Sequence, residues 1–303
     1  MLFRSAAVVR GRDTRRRLAF DPAEQPLTIQ LGGSDPVELA AAARIAEDMG
    51  YDEVNLNVGC PSDRVVSGRF GACLMAEPSL VAECMSAMAA AVAIPVTIKT
   101  RIGIARKPDR DADDAMLETL VSQVAATGCQ IFVIHARKAW LDGLSPKQNR
   151  EIPPLDYARV ARLKQARPDL TIVLNGGVKT LDDVESILAP DASGLRLDGC
   201  MLGRAVIDRP YLLADVDRRL FAGSDAPRSR SQVVAAYLEY AALQESAGER
   251  RTALFRPLSG LFHGAAGARR WRQTLSKFWQ GDGDYAQLLR FAAAIDGPQA
   301  LAA

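Results

Sequence analysis

Histidine is nearly absent from this 303-residue chain: only His135 and His263 occur, far apart in sequence. No clustered carboxylates join them, so a histidine-rich metal centre has too few ligands and no metal is expected. Cysteine is sparse as well, with five residues and no Cys-x-x-Cys spacing. That odd, scattered set argues against a disulfide framework and a zinc ribbon, and fits a reducing, cytoplasmic setting. The lack of a Gly-x-Ser-x-Gly elbow removes the signature of α/β-type serine hydrolases. Long hydrophobic runs are also missing. Of the two stretches free of Asp, Glu, Lys and Arg, residues 84–98 are too short to span a bilayer and contain Pro95, and residues 119–136 are interrupted by polar side chains, so no membrane role is expected. The apolar patch Ala6 to Val9 is broken by Arg10 and Arg12, unlike a signal peptide. Lysine is scarce too, at seven of the 38 basic residues. Arginines cluster at residues 10–17, 218–230 and 269–272; their forks suit phosphate contact, and genomic base bias explains the same composition equally well. The net charge of +2 does not by itself indicate a polyanion partner.

What the chain does have is a strand-helix rhythm beginning at residue 27. Apolar, β-branched runs at 27–31, 53–57, 96–100, 131–135, 171–175 and 199–203 read as short, buried parallel strands. Helical periodicity fills the gaps, at 37–49, 80–91, 113–126, 157–166 and 181–188, the last with Thr180 as its cap. Pro210 marks the first turn of a sixth helix reaching about Leu220. Six βα units allow either an open doubly wound sheet or part of an eightfold TIM-type barrel. Gln30, Asn57, Lys99, His135, Asn175 and Arg204 stand at or near the carboxyl ends of six different strands. An open sheet gathers its site at one switch point, whereas a barrel gathers it from every strand. The expectation is therefore a barrel over residues 1–222, short of strands because residues 1–26 offer no convincing one. Residues 223–227 read as a linker, followed by a small all-α domain over 228–295 with helices at 232–246, 252–262, 268–278 and 285–295. Residues 296–303 read as a frayed tail.

The strand ends carry the chemistry. Asn55 to Ser62 run from a strand into a Gly-Cys-Pro turn, which leaves the Cys60 thiol at a strand's carboxyl end; taken alone, Cys60 reads equally well as core filling. Nothing nearby in sequence lowers its pKa. A thiol near the ordinary value of about 8.5 is mostly protonated at neutral pH, which suits a proton donor better than a nucleophile. A Cys60–His135 nucleophile pair stays open on composition. Lys99 lies in an apolar strand and needs an anionic partner, for which the electron-rich N1–C2 edge of a flavin is suitable. His135 ends another strand, with a simply packed core histidine as the alternative. Asn175-Gly176-Gly177 and Gly203-Arg204, one βα unit apart, match the phosphate site that barrels build after their last two strands.

In order along the chain, Gln30-Leu31-Gly32-Gly33, Asn55 to Ser62, Lys99-Thr100-Arg101, His135-Ala136-Arg137, Asn175-Gly176-Gly177 and Gly203-Arg204 resemble the tRNA-dihydrouridine synthases. The runs Phe70 to Met75 and Leu144 to Leu155 are similar to the A-type subfamily, which acts on D-loop uridines 20 and 20a. The resemblance covers residues 6 to 280. It implies an FMN-dependent barrel enzyme with a helical tRNA-binding domain and NADPH as reductant. Carried over by position, it implies FMN contacts from Gln30, Lys99 and His135, and a phosphate cradle from Asn175, Gly176, Gly177, Gly203 and Arg204. It makes Cys60 the proton donor to uracil C5 and Asn57 the residue that orients the flipped base. Asn149 and Arg150 are then expected to position substrate, and Arg269, Arg270 and Arg272 to contact tRNA phosphates. One departure stands out. Family members open with a strand carrying an Ala-Pro-Met-Met-Asp-like motif, a helix and a second strand, and the match here begins after them. The expectation is a truncated or mis-started reading frame, or a diverged chain of reduced function. Two other readings remain: a silent tRNA-binding protein that holds no FMN, and an FMN barrel oxidoreductase acting on a small pyrimidine, which has no use for a basic helical domain.

Overall fold

A computed structural model describes residues 2–11, 14–62, 70–105, 115–281 and 283–297. The chain divides into two compact units, Met1–Gly177 with Ile187–Met201, and Val178–Ser186 with Leu202–Ala303.

The first unit is built on a seven-stranded, all-parallel sheet. Its strands are β1 (Leu2–Arg4), β2 (Thr28–Gly32), β3 (Glu53–Val58), β4 (Val96–Arg101), β6 (Ile131–His135), β8 (Thr171–Asn175) and β9 (Gly199–Met201), paired in that order. Two further strands, β5 (Ile104–Ala105) and β7 (Ala139–Trp140), form a separate parallel ribbon. Strictly sequential pairing has no switch point, so right-handed crossovers place successive helices on one face, as in a TIM-type barrel. Among the described residues β1 and β9 do not pair, and the sheet has two ends. The strand at Leu2–Arg4 corrects the expectation that no strand precedes residue 27: it pairs with Gln30 to Gly32 of β2. Three residues carry no readable period, and only a neighbouring strand turns them into one.

Period-two alternation then sorts the side chains. Ile29, Leu31, Val54, Leu56, Val58, Ile98, Phe132, Ile134, Ile172 and Leu174 are all buried on one face. Helices α1 (Ser5–Arg10), α2 (Thr14–Leu18), α3 (Pro36–Asp48), α4 (Pro78–Ala89), α5 (Ala115–Ala125), α6 (Tyr157–Ala166) and α7 (Leu181–Leu188) fill the connections. The start of α3 follows from its sequence: Asp35 accepts from the N–H groups of Val37 and Glu38, and Pro36 takes the first turn. Leu39, Ala42, Ala43 and Ala46 form its buried stripe. Thr180 caps α7 as expected, accepting from Asp183 N at 3.1 Å.

The second unit is helical: α8 (Arg204–Asp208), α9 (Val216–Leu220), α10 (Arg230–Ser246), α11 (Arg251–Phe255), α12 (Ala268–Trp279) and α13 (Tyr285–Asp296). Scarce as aromatics are, Phe255, Phe262, Trp271 and Phe278 are all fully buried here. Each such ring removes roughly 150–250 Å² from water, about 4–6 kcal/mol. Trp271 also satisfies its indole N–H on Leu258 O at 2.8 Å. The helix expected over 252–262 tightens after Phe255 into a 3₁₀ turn, Arg256–Gly260, because Pro257 has no N–H to continue it. Likewise 210–220 divides into a 3₁₀ turn, Pro210–Asp215, and α9. Within this unit Tyr211 lies under the Arg230 guanidinium at 3.9 Å and donates to Arg228 O at 2.8 Å. Asp296, read as part of a frayed tail, accepts from Ser231 N at 2.6 Å; residues 298–303 lie outside the described residues.

Candidate active site

The thiol turn follows directly from β3. Gly59 is glycine because a Cβ there meets the Thr100 carbonyl carbon at 3.3 Å, so the turn lies flat against β4. Asn57, buried, folds its Oδ1 back to accept from Gly59 N at 3.2 Å and Cys60 N at 3.0 Å. The other side of the turn is held by Cys60 O, which accepts from Ala72 N at 3.0 Å. The thiol itself is partly exposed, and its Sγ donates to Ser62 Oγ at 3.5 Å. Pinned backbone and accessible sulfur are what a proton donor needs.

Two cations on β4 face this turn. Arg101 is buried, at 4% exposure, and binds three carbonyls: Nε donates to Gly59 O at 2.9 Å, and one terminal nitrogen donates to Lys138 O at 3.1 Å and Asn149 O at 3.0 Å. Burial pulls its pKa down to about 10, with Arg150 and Arg137 adding to the fall and Cys60 opposing it. Lys99 is pulled down to about 8, first by burial and then by Arg101, again with Cys60 opposing. Among the described residues the Lys99 ammonium makes no hydrogen bond or ion pair. A crowded ammonium without a partner leaves room for an anionic or electron-rich group.

Register brings the other strand ends to the same face. Gln30 pairs with Asn55, Asn57 with Lys99, Arg101 with His135, and His135 with Asn175. Gln30 Nε2 donates to Asn55 Oδ1 at 2.8 Å and its Oε1 accepts from Asn57 Nδ2 at 2.8 Å. Asn175 Nδ2 donates to Met201 O at 2.8 Å. Gly176 and Gly177 follow with φ of 107° and 78°. The His135 ring fills the space that a Cβ on Gly176 needs, at 3.1 Å, and Leu155 and Tyr157 do the same at Gly177. Tyr157 Oη fixes the pair by donating to Gly176 O at 2.7 Å. Among the described residues the N–H groups of Gly176 and Gly177 are spent on no protein acceptor.

Other expected residues stand elsewhere. Asn149 is fully buried and built into its own loop: Oδ1 accepts from Trp140 N at 2.8 Å, and Nδ2 donates to Trp140 O at 2.8 Å and Leu144 O at 3.3 Å. Both amide protons are used within the loop, which Asn149 shapes. Arg150 closes the same 3₁₀ turn, Gln148–Arg150, half-buried. Gly203 and Arg204 open α8 in the second unit, where Gly203 O accepts from Val206 N at 3.0 Å. Arg269, Arg270 and Arg272 are exposed on α12 around the buried Trp271, Arg270 over the Phe291 ring at 5.5 Å. Arg269 and Arg272 make no ion pair among the described residues. Sequence reasoning missed Arg101, Asn55 and Tyr157; an arginine inside an apolar strand was the available signal for the first. Among the described residues no group of three or more His, Cys, Asp or Glu is placed to hold a metal, and no helix is long and apolar enough to cross a membrane.

A sequentially wound parallel α/β sheet that collects a partly exposed thiol, two cations and a glycine turn at its carboxyl ends has the build of a barrel-type enzyme. The profile of the dihydrouridine synthase (Dus) family matches residues 1–296, and the chain belongs to that family. It is similar to proteins named tRNA-dihydrouridine(20/20a) synthase. That of Shewanella oneidensis is 49% identical over 288 residues, 95% of this chain and 82% of the relative. That of Pseudomonas putida is 54% identical over 265 residues, 87% and 76% respectively. That of Vibrio cholerae is 48% identical over 273 residues, 90% and 80%.

Proposed function

We propose that this chain reduces the C5–C6 double bond of D-loop uridines 20 and 20a in tRNA to dihydrouridine, with FMN as its cofactor and NADPH as the reductant. The observation that carries the reading is the partnerless Lys99 ammonium on the sheet face that also presents the Cys60 turn. The residues fit a flavin mononucleotide. Lys99 offers a positive charge to an electron-rich ring edge, Gln30 retains one amide proton and one lone pair, and the N–H groups of Gly176 and Gly177 suit a phosphate oxygen. His135 packs against that glycine turn, and Gly203 with Arg204 are assigned to the phosphate by the sequence pattern.

When bound, FMN supplies the hydride that uracil receives at C6. Cys60 supplies the proton at C5 from a turn that Arg101 and Asn57 hold in place. Asn57 holds the thiol turn through Oδ1 and orients the uracil, which has to leave its stack to reach a strand-end site. Arg101 ties the same turn to the loop that carries Asn149 and Arg150. The unpaired arginines of α12 supply phosphate contacts to tRNA.

Purified chain is expected to carry FMN and to restore dihydrouridine at positions 20 and 20a in tRNA from a synthase-deficient strain with NADPH. A colourless protein that binds tRNA and leaves its uridines unreduced would overturn the enzymatic reading in favour of a silent tRNA-binding protein.

A further inference from the structure

Five side chains on three strands form one unbroken hydrogen-bond chain that ends at the Cys60 backbone. Thr97 Oγ1 donates to Glu53 Oε1 at 2.5 Å, Asn55 Nδ2 donates to Thr97 Oγ1 at 2.8 Å, and Gln30 Nε2 donates to Asn55 Oδ1 at 2.8 Å. Asn57 Nδ2 donates to Gln30 Oε1 at 2.8 Å, and Asn57 Oδ1 accepts from Cys60 N at 3.0 Å. Every donor points toward Glu53.

The direction follows from the two ends. A backbone N–H can only donate and an ionised carboxylate can only accept, so Cys60 N and Glu53 together dictate which way each intervening amide is turned. Turning Asn57 or Gln30 over sets donor against donor at one neighbour and acceptor against acceptor at the other, and turning Asn55 over sets donor against donor at Gln30 and draws the Thr97 hydroxyl proton away from Glu53. Asn55, Asn57 and Thr97 are buried, where such a mismatch has no water to relieve it. Glu53 opens β3 at its amino end, whereas Cys60 follows its carboxyl end.

We infer that Glu53 is a positioning residue for the active site: through Thr97 and Asn55 it sets the amide orientation of Gln30 and Asn57, and thereby holds the Cys60 turn. Without the carboxylate acceptor only the Cys60 and Gly59 N–H groups hold the sense of the chain, and the Thr97 hydroxyl is free to turn its proton toward Asn55. The reversed arrangement of Asn55, Gln30 and Asn57 then competes with the observed one, and in it Cys60 N has no acceptor. As a role in catalysis this rests on the uridine-reducing reading above.

The test is a variant series on the full chain with two readouts. One is the rate of Cys60 alkylation by iodoacetamide, followed by peptide mass spectrometry, which requires no turnover. The other is the split between kcat and KM for tRNA. Thr97→Val keeps the side-chain shape and removes the hydroxyl. It is expected to change the Cys60 alkylation rate about threefold or more and to lower kcat about tenfold, the scale of one lost hydrogen bond, with KM for tRNA little changed. Glu53→Leu is expected to match it. Glu53→Gln and Thr97→Ser, which keep an acceptor and a hydroxyl respectively, are expected to stay within about twofold of the parent in both readouts. Parental alkylation in both Thr97→Val and Glu53→Leu, or a Glu53→Gln as damaged as Glu53→Leu, overturns the inference. If Thr97→Val does not fold, the contrast between the two Glu53 variants decides alone. A chain that reduces no uridine at all defeats the proposed activity, while the alkylation series still decides the chain of hydrogen bonds.

Discussion

Replacing Lys99 by methionine keeps most of the aliphatic stem and removes an ammonium that the flavin-free protein leaves without a partner. The folded chain holds this lysine near pKa 8 against an ordinary 10.5, mainly through burial. At about 1.4 kcal/mol per unit, and integrated at pH 7, the charge costs the fold about 3 kcal/mol. The sign follows from proton counting. Between pH 8 and 10.5 the unfolded chain binds more protons at this site than the folded one, so the parent gains stability as pH rises through that window. Lys99→Met lacks that slope. Flavin-free Lys99→Met is therefore expected to be more stable than the parent by up to about 3 kcal/mol at pH 7, and by about half as much at pH 9.5. Urea denaturation at both pH values measures the gap, and FMN retention on gel filtration is expected to fall in the same variant. Equal or lower stability of Lys99→Met at pH 7, or a gap that does not shrink at pH 9.5, refutes the reasoning that the ammonium stands unpartnered.

Arg101, two residues along the same strand, has the opposite expectation. Its three hydrogen bonds to carbonyls, at about 1.5–3 kcal/mol each for a charged donor, outweigh a burial penalty of about 3 kcal/mol. Arg101→Met should thus lose about 2 kcal/mol or more and speed tryptic cleavage after Lys138 and Lys147; unchanged cleavage would count against it. Cys60→Ala is expected to retain FMN by absorbance while losing most dihydrouridine formation, and full turnover would remove Cys60 from the mechanism. Gly177→Ala places a Cβ 2.4 Å from Leu155 Cδ1 at a φ of 78°, so a loss of about 1–3 kcal/mol in melting experiments is expected, with weakened FMN retention. Arg269→Ala with Arg272→Ala should leave the melting temperature unchanged, weaken tRNA binding, and lower the log–log salt slope by nearly one unit for each phosphate no longer neutralised.

The six sheet strands from Thr28 onward were legible because fully buried parallel strands concentrate β-branched and apolar residues in short runs. Their polar ends were legible because a lysine or histidine closing such a run has to have a reason. Leu2–Arg4 was not: three residues become a strand only by pairing with Gln30 to Gly32. The break of the 252–262 helix at Phe255 was readable from Pro257, yet helical periodicity on both sides concealed it. Asn149 was expected at the substrate because its neighbours matched a family motif; that its amide bonds the Trp140 and Leu144 backbone was not legible in that motif. Arg101 and Glu53 were passed over as part of a motif and a strand boundary. Their roles depend on partners 37 to 48 residues away, which no local window contains.

The amino-acid sequence by itself determined six of the parallel strands, the Gly-Cys-Pro turn, the glycine pair after the fifth of those strands and the basic helical segment, since each depends on neighbours along the chain. Only the tertiary structure decided that Lys99 is an unpartnered cation while Arg101 is a bound one. It alone also joined Cys60 to Glu53 through amides of a single polarity. Solvation and hydrogen-bond direction depend on which groups surround an atom in space, and strand register alone brings those groups together.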